Sequence, residues 1–402
     1  MALFVTSEIG RLKKVLLHRP GYELENLTPK WLSQLLFDDI PWLEKAQQEH
    51  DAFKALLVNE GVEVVYLENL VSESLVNEKV KSAFIDQFIE EADILSVSMK
   101  KRVKDYLLSL DTLKMVKRTM AGIPKTKLEV SRNLSLLEHI DDYPFITDPM
   151  PNLYFTRDPF SVIFDGVSIH KMKNEVRARE TIYGEYIFKY HPLYQNVPVF
   201  YHRDEEPSIE GGDILLLRKE VIAIGISERT HPDAIESLAK RLFESTPIRT
   251  ILAIDLPKKR AFMHLDTILT QVDHTHFLVH HAFLNKLNIY VLTPGKKAVS
   301  IKINPRKETL KRVFSRYLQT SITMIPCGGD DVIASDREQW NDGANTLAIA
   351  PGKVIVYARN TITNKLLKEY GIEVLPILAS ELSRGRGGPH CMSMPLERED
   401  PS

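Results

Sequence analysis

The sequence predicts an α/β protein: a five-bladed α/β propeller of pseudo-symmetric ββαβ units with a helical insertion. Three observations lead there. A β-hairpin followed by a helix and a strand recurs five times along the 402 residues. The joints between helix and strand echo one another. Residues 70–146 interrupt the series with a charged, helix-periodic stretch.

The first copy is partial. It has a strand, KKVLLH, a helix, PWLEKAQQEHDAFKALLVNE, the helix stop Gly61, and a strand, VEVVYL. The second spans 161–201. Its hairpin turns at Asp165-Gly166, its helix is ETIYGEYIFKY and its last strand VPVFY. The third spans 213–256, with hairpin DILLLRKEVIAIGI, helix HPDAIESLAKRLFES and strand IRTILAIDL. The fourth opens with DTILTQVDHTHFLVHH and ends with helix LKRVFSRYL and strand SITMIPC. The fifth is the clearest. NTLAIAPGKVIVYARN turns at Pro351-Gly352, helix TNKLLKEY stops at Gly371, and strand IEVLPI follows.

Gly61-Val62-Glu63-Val64 matches Gly371-Ile372-Glu373-Val374, and Gly211-Gly212-Asp213 echoes Gly328-Gly329-Asp330. Strand–helix–strand order is also common in α/β proteins without a repeat. A unit of this size cannot bury its own apolar face. Five of them around one axis would bury the strands and leave the helices outside. The whole chain, 1–402, then forms a single domain with 70–146 inserted in it.

Composition narrows the function. Hydrophobic residues make up 44% and charged residues 26%, ordinary for a water-soluble globular protein. The net charge of −2 gives no electrostatic case for nucleic acid or an anionic membrane surface. No apolar run approaches the roughly 18 residues of a spanning helix, and MALFVTSEIG does not read as a signal peptide. Two cysteines, Cys327 and Cys391, fit a cytoplasmic protein with free thiols. A small-molecule substrate is the default.

Candidate chemistry centres on Cys391 in RGRGGPHCMSMP. The glycines let backbone and ligand approach closely, and such a loop can expose a nucleophilic thiol. Taken alone, a buried structural cysteine is the more common case. Cys327, ending the apolar strand SITMIPC, is read that way. His264 and Asp266, in MHLDT, are two apart and share a face on a strand. A carboxylate beside a histidine fixes its tautomer for acid–base work. His390 ranks below His264 because neighbouring side chains diverge. No C-x-x-C spacing is present, and no metal and no cofactor are expected.

Asp158, Glu210 and Asp266 recur at unit edges, which suggests a cationic ligand. A planar guanidinium pairs with carboxylates in bidentate fashion. Arg157, Arg177, Arg179, Arg229 and Arg386 could bind a carboxylate, or be solvated surface charge. No G-x-G-x-x-G follows any strand, against a nucleotide-binding Rossmann fold.

With these residues in view, the chain resembles the arginine deiminases of the guanidine-modifying superfamily with the pentein fold. The resemblance runs from SEIGRLKKVLLHRPG to GRGGPHCMSMPL, through LTPxxLxxLLFDD, MPNLYFTRDP, RARET, SIEGGD, GISERT, MHLDT and REQWNDGANTLAIAPGKVIVYARN. It implies hydrolysis of L-arginine to L-citrulline and ammonia, with Cys391 as nucleophile and His264 as general acid/base. Glu210 matches the carboxylate contacting guanidinium and His264, and Asp158 and Asp266 the guanidinium clamp. Asn152, Arg177 and Arg229 match the α-carboxylate site, and Arg386 a mobile gating arginine. The backbones of Leu36, Phe155 and Gly385 match contacts to the α-ammonium group. The resemblance also implies a homo-oligomer, dimer or larger. Deimination of agmatine or methylated arginine, amidino transfer, and a non-catalytic ribosome-binding factor on the same fold are the alternatives. The carboxylate-binding arginines argue against agmatine, and the joint presence of Cys, His and three carboxylates against the binding factor.

Overall fold

A computed structural model describes residues 2–128, 143–297 and 300–401. It is an α/β fold in which one sheet pattern occurs five times. Each time, an edge strand pairs antiparallel with a middle strand, a helix intervenes, and a third strand pairs parallel with the middle one. The second sheet is Phe160–Ile163, Gly166–Ile169 and Val199–Tyr201. The fourth is Leu269–Gln271, His276–His280 and Thr323–Cys327. The fifth is Leu347–Ala350, Lys353–Tyr357 and Glu373–Ile377.

The helices follow from their apolar stripes and stop signals. Pro232–Ser245 starts with Pro at its first turn and a cap from the His231 side chain to the Asp233 N–H. It buries Ala234, Ile235, Leu238, Ala239 and Leu242, one stripe at helical spacing. Leu238 is fully buried, so Leu238→Ala would cost about 2–5 kcal/mol. Helices Leu43–Asn59 and Thr361–Glu369 are followed by Gly61 and Gly371, each at φ +81°, a conformation that favours glycine.

Four findings differ from the sequence reading. The first copy is complete, because Met394–Arg398 from the far end of the chain pairs antiparallel with Leu12–Leu17. Leu12–Leu17 in turn pairs parallel with Glu63–Tyr66. The third unit is larger than expected. Its strands Ile214–Arg218, Val221–Ile226 and Thr250–Asp255 are extended by the hairpin Lys286–Pro294 and Ile301–Thr309. That hairpin leaves the fourth unit between its middle strand and its helix. The Gly-Gly-Asp echo is not structural: Gly328 and Gly329 have positive φ, whereas 211–213 is a short 3-10 turn without it. A helix not anticipated, Val332–Trp340, follows the fourth unit.

Helices Leu67–Ser74, Glu78–Glu91, Val97–Leu108 and Thr112–Ala121 lie between the first and second units, over the stretch expected as an insertion. The part of the 70–146 reading at 129–142 lies outside the described residues. Phe84 packs edge-on against Tyr186 with ring centroids 5.0 Å apart, and the insertion shares one apolar core with the second and third units. The N-terminal segment ties units together: Val5 bridges Phe164, and the Glu8 N–H donates to Leu216 O at 2.7 Å.

Candidate active site

The edge strand of each unit is preceded by a short irregular segment, and these segments supply the site. Asp158 precedes Phe160–Ile163, Glu210 and Asp213 precede Ile214–Arg218, and Asp266 precedes Leu269–Gln271. Asn345 precedes Leu347–Ala350, and Cys391 precedes the closing strand Met394–Arg398. His264 and Asp266 therefore do not share a strand. His264 caps a 3-10 turn, Leu265–Thr267, and Asp266 lies within it, so the two are aimed differently.

Cys391 is buried, not exposed as its glycine-rich setting predicts. Its backbone N–H and that of Gly388 both donate to Asn345 Oδ1 at 3.0 Å. Asn345 Nδ2 lies 3.1 Å from Sγ and 3.0 Å from Asp266 O. One amide thus fixes the thiol loop to the fourth unit. Sγ donates to Asp266 Oδ2 at 3.3 Å. Burial, then the charges of Asp266 and Asp158, push the thiol well above the usual cysteine range. Cys391 is a protonated thiol in this state.

His264 Nε2 sits 2.8 Å from Glu210 Oε2, and Nδ1 is 3.7 Å from Asp158 Oδ1. Burial disfavours the imidazolium, but Asp158 and Glu210 outweigh it and raise His264 to about 9. It carries a proton at neutral pH. Glu210 is held well below the carboxylate range: burial opposes this, and Arg229 and then His264 prevail. Glu210 Oε1 accepts the Lys173 N–H at 3.0 Å.

The aspartates keep acceptor capacity. Asp158 Oδ1 and Asp266 Oδ1 are buried and accept no hydrogen bond. Cys391, His264, Asp158, Asn152, Arg177, Arg229, Arg386, Leu36, Phe155 and Gly385 line one narrow cavity with about 40 Å³ of free space. Glu210 and Asp266 are bonded just behind His264 and Cys391.

The arginines diverge in use. Arg177 is paired with two carboxylates, with Nη1 to Asp158 Oδ2 at 2.7 Å and Nε and Nη2 to Glu180. It lines the cavity already paired. Arg229 Nη1 is buried without a hydrogen bond, 3.6 Å from Glu210 Oε2. Asn152 Nδ2 donates to Leu35 O at 2.9 Å and so pins the segment carrying Leu36, which has φ +57°. Gly385 admits no side chain: a Cβ there would meet the Tyr154 hydroxyl at 1.9 Å. Of the other arginines considered, Arg157 donates from Nε to His390 O at 3.3 Å, and Arg179 to Asp148 O at 3.1 Å.

Sequence reasoning missed three supporting groups. Glu8 and Asp266 bracket His390, with Oε2 3.0 Å from Nε2 and Oδ2 2.9 Å from Nδ1. Asp213, raised to about 6 by burial, accepts from Ser227, Thr230 and the Leu265 N–H. Asn345 is the third. Glu8 had no signal, because its partners lie at the other end of the chain. Asn345 had one: it stands before its edge strand where Asp158 stands in the second unit. Asp158, Glu210 and His264 offer donor atoms within 4.8 Å of one another, close enough for a metal. A protonated His264 would have to give up its proton first.

Similarity to known proteins bears on this geometry. The arginine deiminase family model matches residues 33–398. An arginine deiminase of Borrelia duttonii is 53% identical over 400 residues, covering 98% of each chain. Among solved structures, the amidinotransferase SxtG of Microseira wollei superposes with a TM-score of 0.57 at 15% identity, over 99% of this chain and 98% of that one. A dimethylarginine dimethylaminohydrolase adduct gives 0.52 at 16% identity, over 95% and 99%. Those two likenesses speak to the fold.

Proposed function

The chain belongs to the arginine deiminase family, and on that premise we propose that it hydrolyses free L-arginine to L-citrulline and ammonia through an S-alkylthiouronium on Cys391. One observation carries the reading. A single cavity wall holds a thiol, while a protonated imidazole and two aspartate oxygens without partners stand within reach of it.

The free oxygens of Asp158 and Asp266 take the guanidinium N–H groups in its plane. The cation offsets the aspartate charges that hold the thiol protonated, so Cys391 releases its proton to solvent as substrate binds. Its sulfur attacks the guanidinium carbon. His264, steered by Glu210, gives its proton to the departing nitrogen, and ammonia leaves. Neutral His264 then takes a proton from water, whose oxygen attacks the same carbon. The C–S bond breaks and citrulline departs. Two lower barriers replace one high one. Arg229 and Asn152 hold the α-carboxylate, Arg177 adds positive charge while holding Asp158, and the backbones of Leu36, Phe155 and Gly385 take the α-ammonium group. The scheme needs no metal or cofactor.

The five units are taken to close round one axis as a five-bladed propeller in a single domain, 1–402, with the helices of 70–146 inserted. The bridges from the N-terminal segment to the second and third units support this. The protein is taken to be cytoplasmic and homo-oligomeric. No helix among the described residues is long and apolar enough to cross a membrane.

Metal-free protein incubated with arginine, agmatine and dimethylarginine tests the reaction. Ureido product and ammonia should form from arginine, with agmatine disfavoured by roughly 10²–10⁴ for lack of the carboxylate. Arg229→Leu should narrow that gap. Equal use of agmatine by the unmodified protein would refute the carboxylate end of the site.

A further inference from the structure

Asp213 is a fully buried carboxylate with no part in the proposed chemistry. Its Oδ2 accepts the Ser227 and Thr230 hydroxyls, each at 2.6 Å, and its Oδ1 accepts the Leu265 N–H at 2.9 Å. None of these three donors is a cation. Burial raises Asp213 to about 6, against the charge of His264 and the three bonds. A charge so placed costs stability. What it holds together accounts for its position.

Each hydroxyl has a single hydrogen and gives it to Asp213, so its lone pairs face backbone N–H groups. The Ser227 hydroxyl accepts the Arg229 N–H at 2.9 Å and the Thr230 N–H at 3.1 Å, closing a tight turn at the base of Arg229. The Thr230 hydroxyl accepts the Glu210 N–H at 3.2 Å. Leu265 directly follows His264, whose ring lies against Gly212: a Cβ there would meet Nδ1 at 2.7 Å. One carboxylate thus joins the segments that carry Glu210, Arg229 and His264. The two hydroxyls serve different ends of the site. Ser227 holds Arg229, and Thr230 holds Glu210, the partner of His264.

We infer that Asp213 is a positioning residue with two separable arms: through Ser227 it places Arg229 against the substrate carboxylate, and through Thr230 it places Glu210 against His264. The inference rests on the proposed arginine-binding cavity. An amide cannot stand in for this carboxylate. Its oxygen serves either the two hydroxyls or the Leu265 N–H, and its NH₂ then faces another donor or hydroxyls already bonded to N–H groups. A loosened Arg229 weakens substrate and transition state alike, which raises KM and leaves kcat. A displaced Glu210 acts on the acid instead. His264 is faced by Asp158, Glu210 and Asp213, and losing the support of Glu210 lowers its proton affinity.

Steady-state kinetics with arginine and agmatine, followed into the alkaline range, test this. Ser227→Ala should raise KM for arginine by about 3- to 10-fold with kcat within about twofold, and should narrow the ratio of kcat/KM between arginine and agmatine. Thr230→Val should lower kcat by about 3- to 10-fold, move the alkaline limb down and leave that ratio unchanged. Ser227→Thr and Thr230→Ser keep the hydroxyls and should restore each quantity. Asp213→Asn should combine both defects. Each deletion removes one oxygen atom, and circular dichroism checks that the fold persists; if Asp213→Asn does not fold, the hydroxyl pair decides. The same defect in Ser227→Ala and Thr230→Val, or an unchanged ratio in Ser227→Ala, would overturn the two arms and leave arginine hydrolysis standing. Absence of citrulline from the unmodified protein would remove both.

Discussion

Cys391 and Cys327 are both buried and both raised in pKa, but their surroundings differ. Cys327 ends the strand Thr323–Cys327, with Sγ 3.4 Å from Thr363 Oγ1, and burial pushes it up to about 12. Cys391 is raised by burial and then by two aspartates, Asp266 and Asp158, that border a cavity. That part of the shift is reversible, because a cation placed between the aspartates cancels it.

The largest expected effect separates the two thiols outright. Cys391→Ser should lose turnover by on the order of 10⁴ or more with its circular dichroism unchanged, since a serine hydroxyl is a far weaker nucleophile. Normal turnover by that variant would break the comparison. Asp266→Asn comes next. It should drop turnover, and by removing a charge that raises the thiol it should speed iodoacetamide labelling of Cys391 near pH 8. Peptide mass spectrometry would read both cysteines, and labelling of Cys327 should not change.

A third effect concerns the acid that Cys391 has and Cys327 lacks. His264 is raised to about 9 by its carboxylates, so turnover should fall as pH rises through that region. Glu210→Gln removes a charge that favours the imidazolium and should move the alkaline limb down by about one unit. The same shift makes His264 a stabilising group below about pH 6.5 whose contribution fades as pH rises through about 9. An alkaline limb that ignores Glu210→Gln would disconnect the pair. The smallest effect is Cys327→Ser. Turnover should stay within about twofold, and chemical denaturation should show a loss of about 1–3 kcal/mol from a buried hydroxyl that gains only partial satisfaction from Thr363.

The helices and most strands were legible because their signals are local. Leu43–Asn59, Thr181–Tyr190 and Pro232–Ser245 lie within a few residues of the expected segments. The hairpin Lys286–Thr309 had alternating residues, but alternation does not say which sheet a strand joins, and this one joined the third unit's sheet. The site was legible as residue types at unit edges, with Leu36, Phe155 and Gly385 reachable through family resemblance alone.

The sequence by itself determined the units and the joints at Gly61 and Gly371, because periodicity and turn chemistry are local properties. Tertiary structure decided the rest. It paired Met394–Arg398 with Leu12–Leu17, which sets Cys391 before the edge strand of the first unit and beside Asp266. It spent Arg177 on Asp158 and Glu180 and left Arg229 Nη1 unpaired. Proton affinity and partner choice depend on burial and on charges brought together from distant positions in the chain, and no local pattern encodes those distances.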